Sequence, residues 1–228
     1  MKEQWALVPY PSYGPGLLSE FQLTDKTVTF RGSALQLAVR QDWNGHGVAG
    51  VVWDACVVLA EYLLSHPELV QQKTVLELGA GTGIPSIVAA YLDAHSVIAT
   101  DLPSSLSVLQ ENLRLNVDKL SIAQNKLRAQ SLVWGKQENY LHMPQLDLIL
   151  AADLIYDEST FPDLLATFRR LLLEHPTAQI LLTCRIRYPK DQRFIDTFSQ
   201  TFHVTRHQYD RDRDVQLYLA QGKQGSLQ

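Results

Sequence analysis

One ten-residue stretch constrains the fold more than any other: Thr74-Val75-Leu76-Glu77-Leu78-Gly79-Ala80-Gly81-Thr82-Gly83. An apolar run breaks into alternating glycines, and Ile84-Pro85-Ser86-Ile87-Val88-Ala89-Ala90-Tyr91-Leu92 then reads as a helix. Strand, glycine turn and helix in that order open a nucleotide-binding βαβ unit. Glycine suits the turn because it lacks a Cβ, accepts unusual φ values and lets the backbone close on a ligand. A second apolar run, Ser96-Val97-Ile98-Ala99-Thr100, ends in Asp101. An acid at the end of the second strand is placed to accept hydrogen bonds from two ribose hydroxyls.

The glycine spacing separates one ligand class from another. A dinucleotide fingerprint needs a third glycine three positions after Gly81, where this chain has Ile84, and the Gly-Lys-Ser/Thr of a phosphate-cradling loop is absent. The loop therefore suits a nucleoside with a small charged tail, such as S-adenosylmethionine. The alternative is a tight strand-to-helix turn without a ligand, which leaves Glu77, the glycines and Asp101 unexplained together.

Composition bounds the rest. A chain of 228 residues suits a single domain with a sizeable core. The net charge of -4 argues against a general nucleic-acid binder, which normally carries a basic face. Cys56 and Cys184 lie far apart and match no metal spacing, so they read as buried thiols of a reducing compartment, and no metal is expected. The first residues show no signal-peptide pattern, and no apolar run is long enough to span a bilayer. The expectation is a soluble, cytoplasmic monomer with no membrane or nucleic-acid partner.

Along the chain, residues 1–16 read as an irregular arm rich in Pro, Tyr and Gly. Glu20-Phe21-Gln22-Leu23, Thr27-Val28-Thr29-Phe30 and Leu35-Gln36-Leu37-Ala38-Val39 alternate with period two and predict a small antiparallel sheet. Helical spacing from about Ala49 to Ser65 predicts a helix with Trp53 and Asp54 near its start. Trp53 is either a core residue or a site residue. Leu106, Leu109 and Leu113 mark a helix ending near Asn116, after Pro103 in its first turn. Strands are predicted at Leu127–Val133, Leu146–Ala152 and Ile180–Cys184, with helices around Phe161–Phe168 and Phe194–Phe198. Phe202–Arg206 and Val215–Leu219 then pair as a hairpin across Asp210-Arg211-Asp212-Arg213-Asp214.

The resulting fold class is α/β: a Rossmann-like sheet, mostly parallel, with an antiparallel hairpin at the carboxyl end and a small amino-terminal β addition. One domain covers 1–228, with the arm and small sheet in 1–47 and the core in 48–220. The ligand is expected where the winding reverses, at the carboxyl ends of the first and fourth core strands. Trp134, just past a strand end, can cover one face of an adenine or cap the core.

Several segments together resemble the seven-strand S-adenosylmethionine-dependent methyltransferases, and within them the small protein-lysine methyltransferases. They are Ala6-Leu7-Val8-Pro9-Tyr10, Arg40-Gln41-Asp42-Trp43, Val51-Val52-Trp53-Asp54-Ala55, the glycine stretch, Ala152-Asp153-Leu154-Ile155-Tyr156 and Cys184-Arg185-Ile186-Arg187-Tyr188. The glycine motif is common to very many methyltransferases, whereas the tryptophan block, the Asp-x-x-Tyr motif and the Arg-Ile-Arg-Tyr segment are more specific. The likeness is strongest to members that methylate lysine on heat-shock chaperones of the seventy-kilodalton class. It implies cofactor contacts at Trp53, Gly79, Ala80, Gly81, Asp101, Trp134 and Ala152, and a substrate-facing motif from Asp153 to Tyr156. Residues near Ser12 to Leu18 are additional to the family pattern.

The chemistry expected of Asp153 is to receive and orient an arriving ammonium, with Tyr156 walling the lysine channel; a helix N-cap is the structural alternative for Asp153. Methyltransferases acting on nucleic-acid amines usually carry Asn/Asp-Pro-Pro-Tyr here, and Leu154-Ile155 in place of the prolines favours a flexible alkyl amine over a planar base. Two other functions compete: methylation of a small molecule or RNA, and a non-catalytic module on the same fold.

Overall fold

The protein is described by a computed structural model covering residues 20–223 apart from 118, 121, 124–125 and 137–142. The amino-terminal arm and the Ala6–Tyr10 segment lie outside the described residues. Chain order begins with β1 (Asp25–Thr29) and β2 (Gln36–Arg40), then α1 (Asp54–Ser65), β3 (Thr74–Leu78), α2 (Ile84–Tyr91) and β4 (Ser96–Asp101). It continues with α3 (Leu106–Val117), β5 (Leu127–Ser131), β6 (Leu148–Ala152), α4 (Phe161–Glu174), β7 (Gln179–Cys184), α5 (Pro189–Thr201), β8 (Phe202–Asp210) and β9 (Val215–Gly222).

The main sheet has seven strands in the order β5-β4-β3-β6-β7-β9-β8. The first five are mutually parallel, β9 runs antiparallel to β7, and β8 closes the edge as an antiparallel hairpin. Every residue of β3 and β6 is buried, as strands covered by helices on both faces require. Alternation along β3 divides the core: Val75 joins Leu59, Leu63, Ile87 and Leu181 on one face, while Leu76 and Leu78 join Ile149, Phe168, Phe198 and Phe202 on the other. From β3 the chain moves outward through β4 to β5, then returns to the opposite side of β3 as β6. The helices accordingly diverge above the carboxyl ends of β3 and β6, which opens a crevice there.

The amino-terminal addition is a two-stranded antiparallel sheet rather than the three strands expected. Glu20 and Phe21 are helical, and the reason lies in side chains that period-two alternation does not register. Phe21 stacks on Trp43 at 5.6 Å and 7° and packs on Trp53 at 5.1 Å. Buried Gln41 donates from Nε2 to the carbonyls of Glu20 and Leu23 and accepts Val52 N–H at Oε1. These contacts hold residues 20–23 as a turn. The helix expected from Ala49 begins at Asp54, after a 3-10 turn at Gly47–Gly50. Among the described residues no single helix is long and apolar enough to cross a membrane.

Two polar devices dock the small sheet onto the core. Asn112 and Asn116, both fully buried on α3, act as a surrogate strand for β2. Asn112 accepts Arg40 N–H at 2.7 Å and donates to Arg40 O at 3.0 Å; Asn116 does the same for Ala38 at 3.1 and 2.8 Å. On the other flank Glu61 accepts from Arg31 N, Arg31 Nε, Arg213 Nη1 and Arg213 Nη2, and Arg31 also pairs with Asp210 and Asp212. The charged link predicted only as a hairpin turn is thus bonded to the β1–β2 turn.

Glu77 generates the first prediction. Its Oε2 accepts Ser86 N–H at 2.9 Å and Ser86 Oγ–H at 2.5 Å, tying β3 to α2 across the glycine turn. Burial pushes its carboxyl up to about 8, although the Ser86 hydrogen bonds pull the other way. Between the ordinary glutamate value of 4.5 and about 8 the folded form keeps a proton that the unfolded chain has lost. Folding takes up that proton, so Glu77's contribution to stability falls as pH rises through this window. Glu77→Gln keeps an acceptor for Ser86 but removes the titration. Urea midpoints measured from pH 5 to 8 are expected to decline less in Glu77→Gln than in wild type; equal declines would place the proton elsewhere.

Candidate functional site

The crevice at the ends of β3 and β6 contains a cavity of about 260 Å³. All nine residues singled out from the sequence line it: Trp53, Gly79, Ala80, Gly81, Asp101, Trp134, Ala152, Asp153 and Tyr156. They come from four strand ends and the loop before α1, so their convergence is a product of the fold and not of proximity in sequence.

The floor of one half is backbone. Gly79, Gly81 and Gly83 have φ of +56°, +52° and +78°, a left-handed conformation that side-chain-bearing residues resist. Space is equally restrictive. A Cβ on Gly79 would lie 2.5 Å from Leu154 Cδ2 and 3.3 Å from Trp134 Cζ2, and one on Gly81 would lie 3.0 Å from the Ala49 carbonyl oxygen. The 3-10 turn at Gly47–Gly50 therefore rests directly on the glycine loop. Trp53 holds that turn by donating from Nε1 to Val48 O at 2.8 Å. Trp53 also packs against the core, so both readings of this residue hold in geometry. Trp134 likewise packs on the opposite core cluster while facing the cavity.

Asp101 anchors the same half. Its Oδ2 accepts Gly81 N–H and its Oδ1 accepts Leu102 N–H, each at 2.7 Å. Burial nonetheless pushes its carboxyl up from the ordinary aspartate range. The Ser105 side chain is a third donor, and the carboxylate's remaining acceptor capacity is available to a ribose hydroxyl. Thr82 Oγ1 is buried beside it with no hydrogen-bond partner among the described residues. A backbone cradle, two indoles and a carboxylate fit an adenosine with a charged tail: Gly79, Ala80 and Gly81 supply close approach, Asp101 hydroxyl acceptors, and Trp53 and Trp134 flat apolar surface.

The other half is built from ion pairs. Asp153 follows β6 with φ +54°, held by its N–H donating to Thr183 O at 2.8 Å. It does not cap a helix: the following 3-10 turn, Glu158–Thr160, is capped by Asp157. Instead Arg187 meets it in a bidentate pair, Nη1 to Oδ1 at 3.0 Å and Nη2 to Oδ2 at 2.8 Å, with only 11% and 7% of the two side chains exposed. Tyr156 lies beyond, its hydroxyl pushed up to about 12 by burial and by the carboxylates of Asp101, Asp157 and Asp153. Lys190 donates to Tyr156 O at 2.6 Å and to Asp191 at 2.9 Å. Asp191, almost wholly buried, also accepts the N–H groups of Arg187 and Tyr188 and so fixes the segment that carries the guanidinium.

The Arg185-Ile186-Arg187-Tyr188 segment divides its duties. Arg185 turns away to Asp54 at 3.0 Å and to the β8–β9 link, whereas Arg187 and Tyr188 enter the cavity wall. Lys190 and Asp191 were not anticipated as site residues. Their signal was present in Pro189 followed two positions later by an acid, the pattern of a helix start.

Comparison with known proteins identifies the family and the fold. A family model described as "Lysine methyltransferase" matches residues 32–201. The chain is 41% identical over 219 residues to the protein N-lysine methyltransferase METTL21A of Xenopus tropicalis, covering 96% of this chain and 98% of that one. It is 36% identical over 190 residues to the EEF1A lysine methyltransferase 3 of Mus musculus, covering 83% and 79%. Among solved structures, a SAM-dependent methyltransferase from Aquifex aeolicus superposes with a TM-score of 0.51 at 17% identity, covering 72% of this chain and 89% of that one. The magnesium protoporphyrin IX methyltransferase of Synechocystis, solved with bound SAH, gives 0.50 at 14% identity, covering 74% and 82%. At such identities these two establish the shared fold.

The cradle yields a binding prediction. Gly79→Arg is expected to fill the cavity and abolish binding of S-adenosylmethionine. Asp101→Ala should weaken it by about 1.5–3 kcal/mol, the scale of a charge-assisted hydrogen bond. Isothermal calorimetry checks both, and unchanged affinity in the two variants would contradict the placement of the cofactor in this half.

Proposed function

The chain belongs to the lysine methyltransferase family, whose enzymes act on protein lysines with S-adenosylmethionine, and on that premise we propose that it methylates a lysine on a heat-shock chaperone of the seventy-kilodalton class in the cytoplasm. The observation that carries this reading is the single cavity in which a nucleoside-type cradle adjoins the Asp153–Tyr156 motif. Bound there, the cofactor supplies a methyl group on a positively charged sulfur. The protein's residues then do the positioning, and holding an acceptor nitrogen in line accounts for much of the rate.

Trp53, Gly79, Ala80, Gly81, Asp101, Trp134 and Ala152 are assigned to the cofactor, and Asp153 and Tyr156 to the acceptor. A lysine amine must give up its proton to react, at a cost of about 4–5 kcal/mol at pH 7 for an unperturbed side chain. Asp153 and Tyr156 both line the cavity beside the cradle, and we assign to them the wall along which the lysine side chain enters. Leu154 and Ile155 are buried, with Leu154 also lining the cavity, and they stand where a planar-base enzyme carries paired prolines. Around the mouth, Leu102 and Tyr188 are 48% and 41% exposed, apolar surface that a folded partner can cover. The resemblance to chaperone-modifying members supports the choice of partner.

Purified enzyme with labelled cofactor is expected to mark a seventy-kilodalton chaperone, and replacing the acceptor lysine by arginine should abolish the label. Label confined to RNA or metabolites would refute the lysine acceptor, while label on another protein would refute only the chaperone. Asp153→Asn should keep cofactor affinity within a few-fold while transfer falls by about ten- to a hundredfold, because it leaves the Arg187 guanidinium unpaired beside the acceptor. Transfer at the wild-type rate with saturating protein acceptor would make Asp153 structural.

A further inference from the structure

The assigned acceptor carboxylate is already occupied by a cation of the protein itself. Both Asp153 oxygens accept from Arg187, in a bidentate pair that is nearly excluded from water. A lone carboxylate at this position would stabilise a lysine ammonium and so hold the acceptor in its unreactive form. The pair presents the acceptor with compensated charge instead. Its placement is enforced from several sides. Asp191 accepts the Arg187 backbone N–H at 2.8 Å, the guanidinium lies 6.0 Å from the Trp53 ring centroid, and Asp153 is held at φ +54° by Thr183.

We propose that Arg187 is a positioning residue that acts through Asp153, holding its carboxylate in a neutral pair so that the acceptor amine stands in the cleft uncharged. This rests on the lysine-methyltransferase reading above and adds to it the protonation state in which the acceptor is received. Removing the guanidinium alone exposes a carboxylate that traps the ammonium. Removing both charges restores a neutral wall. The other titratable groups that line the same cavity or act on the pair are Tyr156 after β6, Asp163 on α4, Tyr188, Lys190 and Asp191 at the start of α5, Cys184 at the end of β7, Cys56 on α1, and Asp101 at the end of β4. Lys190 and Asp191 are paired with each other, and burial pushes both thiols up so that they stay neutral. None of these groups replaces the charge that Arg187 supplies to Asp153.

The test does not require the protein substrate. Sinefungin carries a primary amine where the cofactor carries its methylsulfonium, and S-adenosylhomocysteine carries neither group. Calorimetry with both ligands from pH 7 to 10 is compared in wild type, Arg187→Gln, Asp153→Asn and the double variant. Arg187→Gln is expected to bind sinefungin about tenfold more tightly at pH 7, the scale of one ammonium–carboxylate hydrogen bond. The gain should disappear as the amine titrates and be absent in the double variant, with S-adenosylhomocysteine affinity unchanged throughout as proof of an intact cradle. Unchanged sinefungin affinity in Arg187→Gln, or a gain that persists in the double variant or at pH 10, would overturn the proposal. Loss of S-adenosylhomocysteine binding in Arg187→Gln would also overturn it, by making the pair a structural strut. Chaperone labelling by wild type is scored separately, so a wrong substrate and a wrong role for Arg187 give different results.

Discussion

The structure depends on a buried acid in a fully buried inner strand of the sheet. Glu77 sits on β3 where the winding of the sheet reverses, and the hydrogen bonds to its side-chain carboxyl come from the Ser86 amide and hydroxyl on α2. An uncompensated carboxyl at that depth would be expensive. With Ser86 as its partner it becomes a clamp that fixes the distance and angle between the end of β3 and the start of α2. Everything between them must fit that span, and three glycines with positive φ are the solution the chain adopts. The cavity floor is therefore set by a contact that does not itself line the cavity.

The second constraint arrives from outside the core. The amino-terminal sheet is held by the Asn112 and Asn116 ladder on one flank and by the Glu61 cluster on the other. Gln41 carries that position onward to Val52, and Trp53 passes it to the 3-10 turn through Val48. The turn in turn lies 3.0 Å from where a Cβ on Gly81 would be. A sheet that looks peripheral thus closes one wall of the site, which gives a physical reason for the small addition to be present at all.

Most of this architecture was legible in the sequence because it is written in local signals. Buried parallel strands appear as unbroken apolar runs, and each ends in the residue that faces the crevice: Gly79, Asp101 and Asp153. Eight of the nine anticipated residues share one cavity because they lie at or just after strand ends, and Trp53 joins them from the loop before α1. What could not be read was pairing over distance. Asp153 and Arg187 are 34 positions apart, and Ala38 and Asn116 are 78 apart, so neither bond leaves a periodic trace. The misread strand at residues 20–23 fails for the same reason. Its alternation is real, but Phe21 finds Trp43 and Gln41 captures the backbone carbonyls, and these tertiary contacts outweigh a weak β preference.

The two halves of the cavity are consequently different kinds of object. The cofactor half is made of backbone: glycine dihedrals, amides donated to Asp101, and a turn pressed onto Gly81. Such a surface is fixed by the fold, and its carboxylate, Asp101, is itself held by two backbone amides. The acceptor half is made of side chains whose charges balance in pairs, Asp153 with Arg187 and Lys190 with Asp191. Buried pairs are screened far less by salt than surface ones, so their balance persists across ionic conditions that would erase an exposed bridge. It does not persist if one member is lost, because the remaining charge is left in a site with little water to receive it. The division matches what transfer to an amine demands. One ligand must be held in a constant pose, and the other must arrive, shed a proton and leave as a methylated ammonium. Rigid backbone meets the first requirement, and compensated charge meets the second.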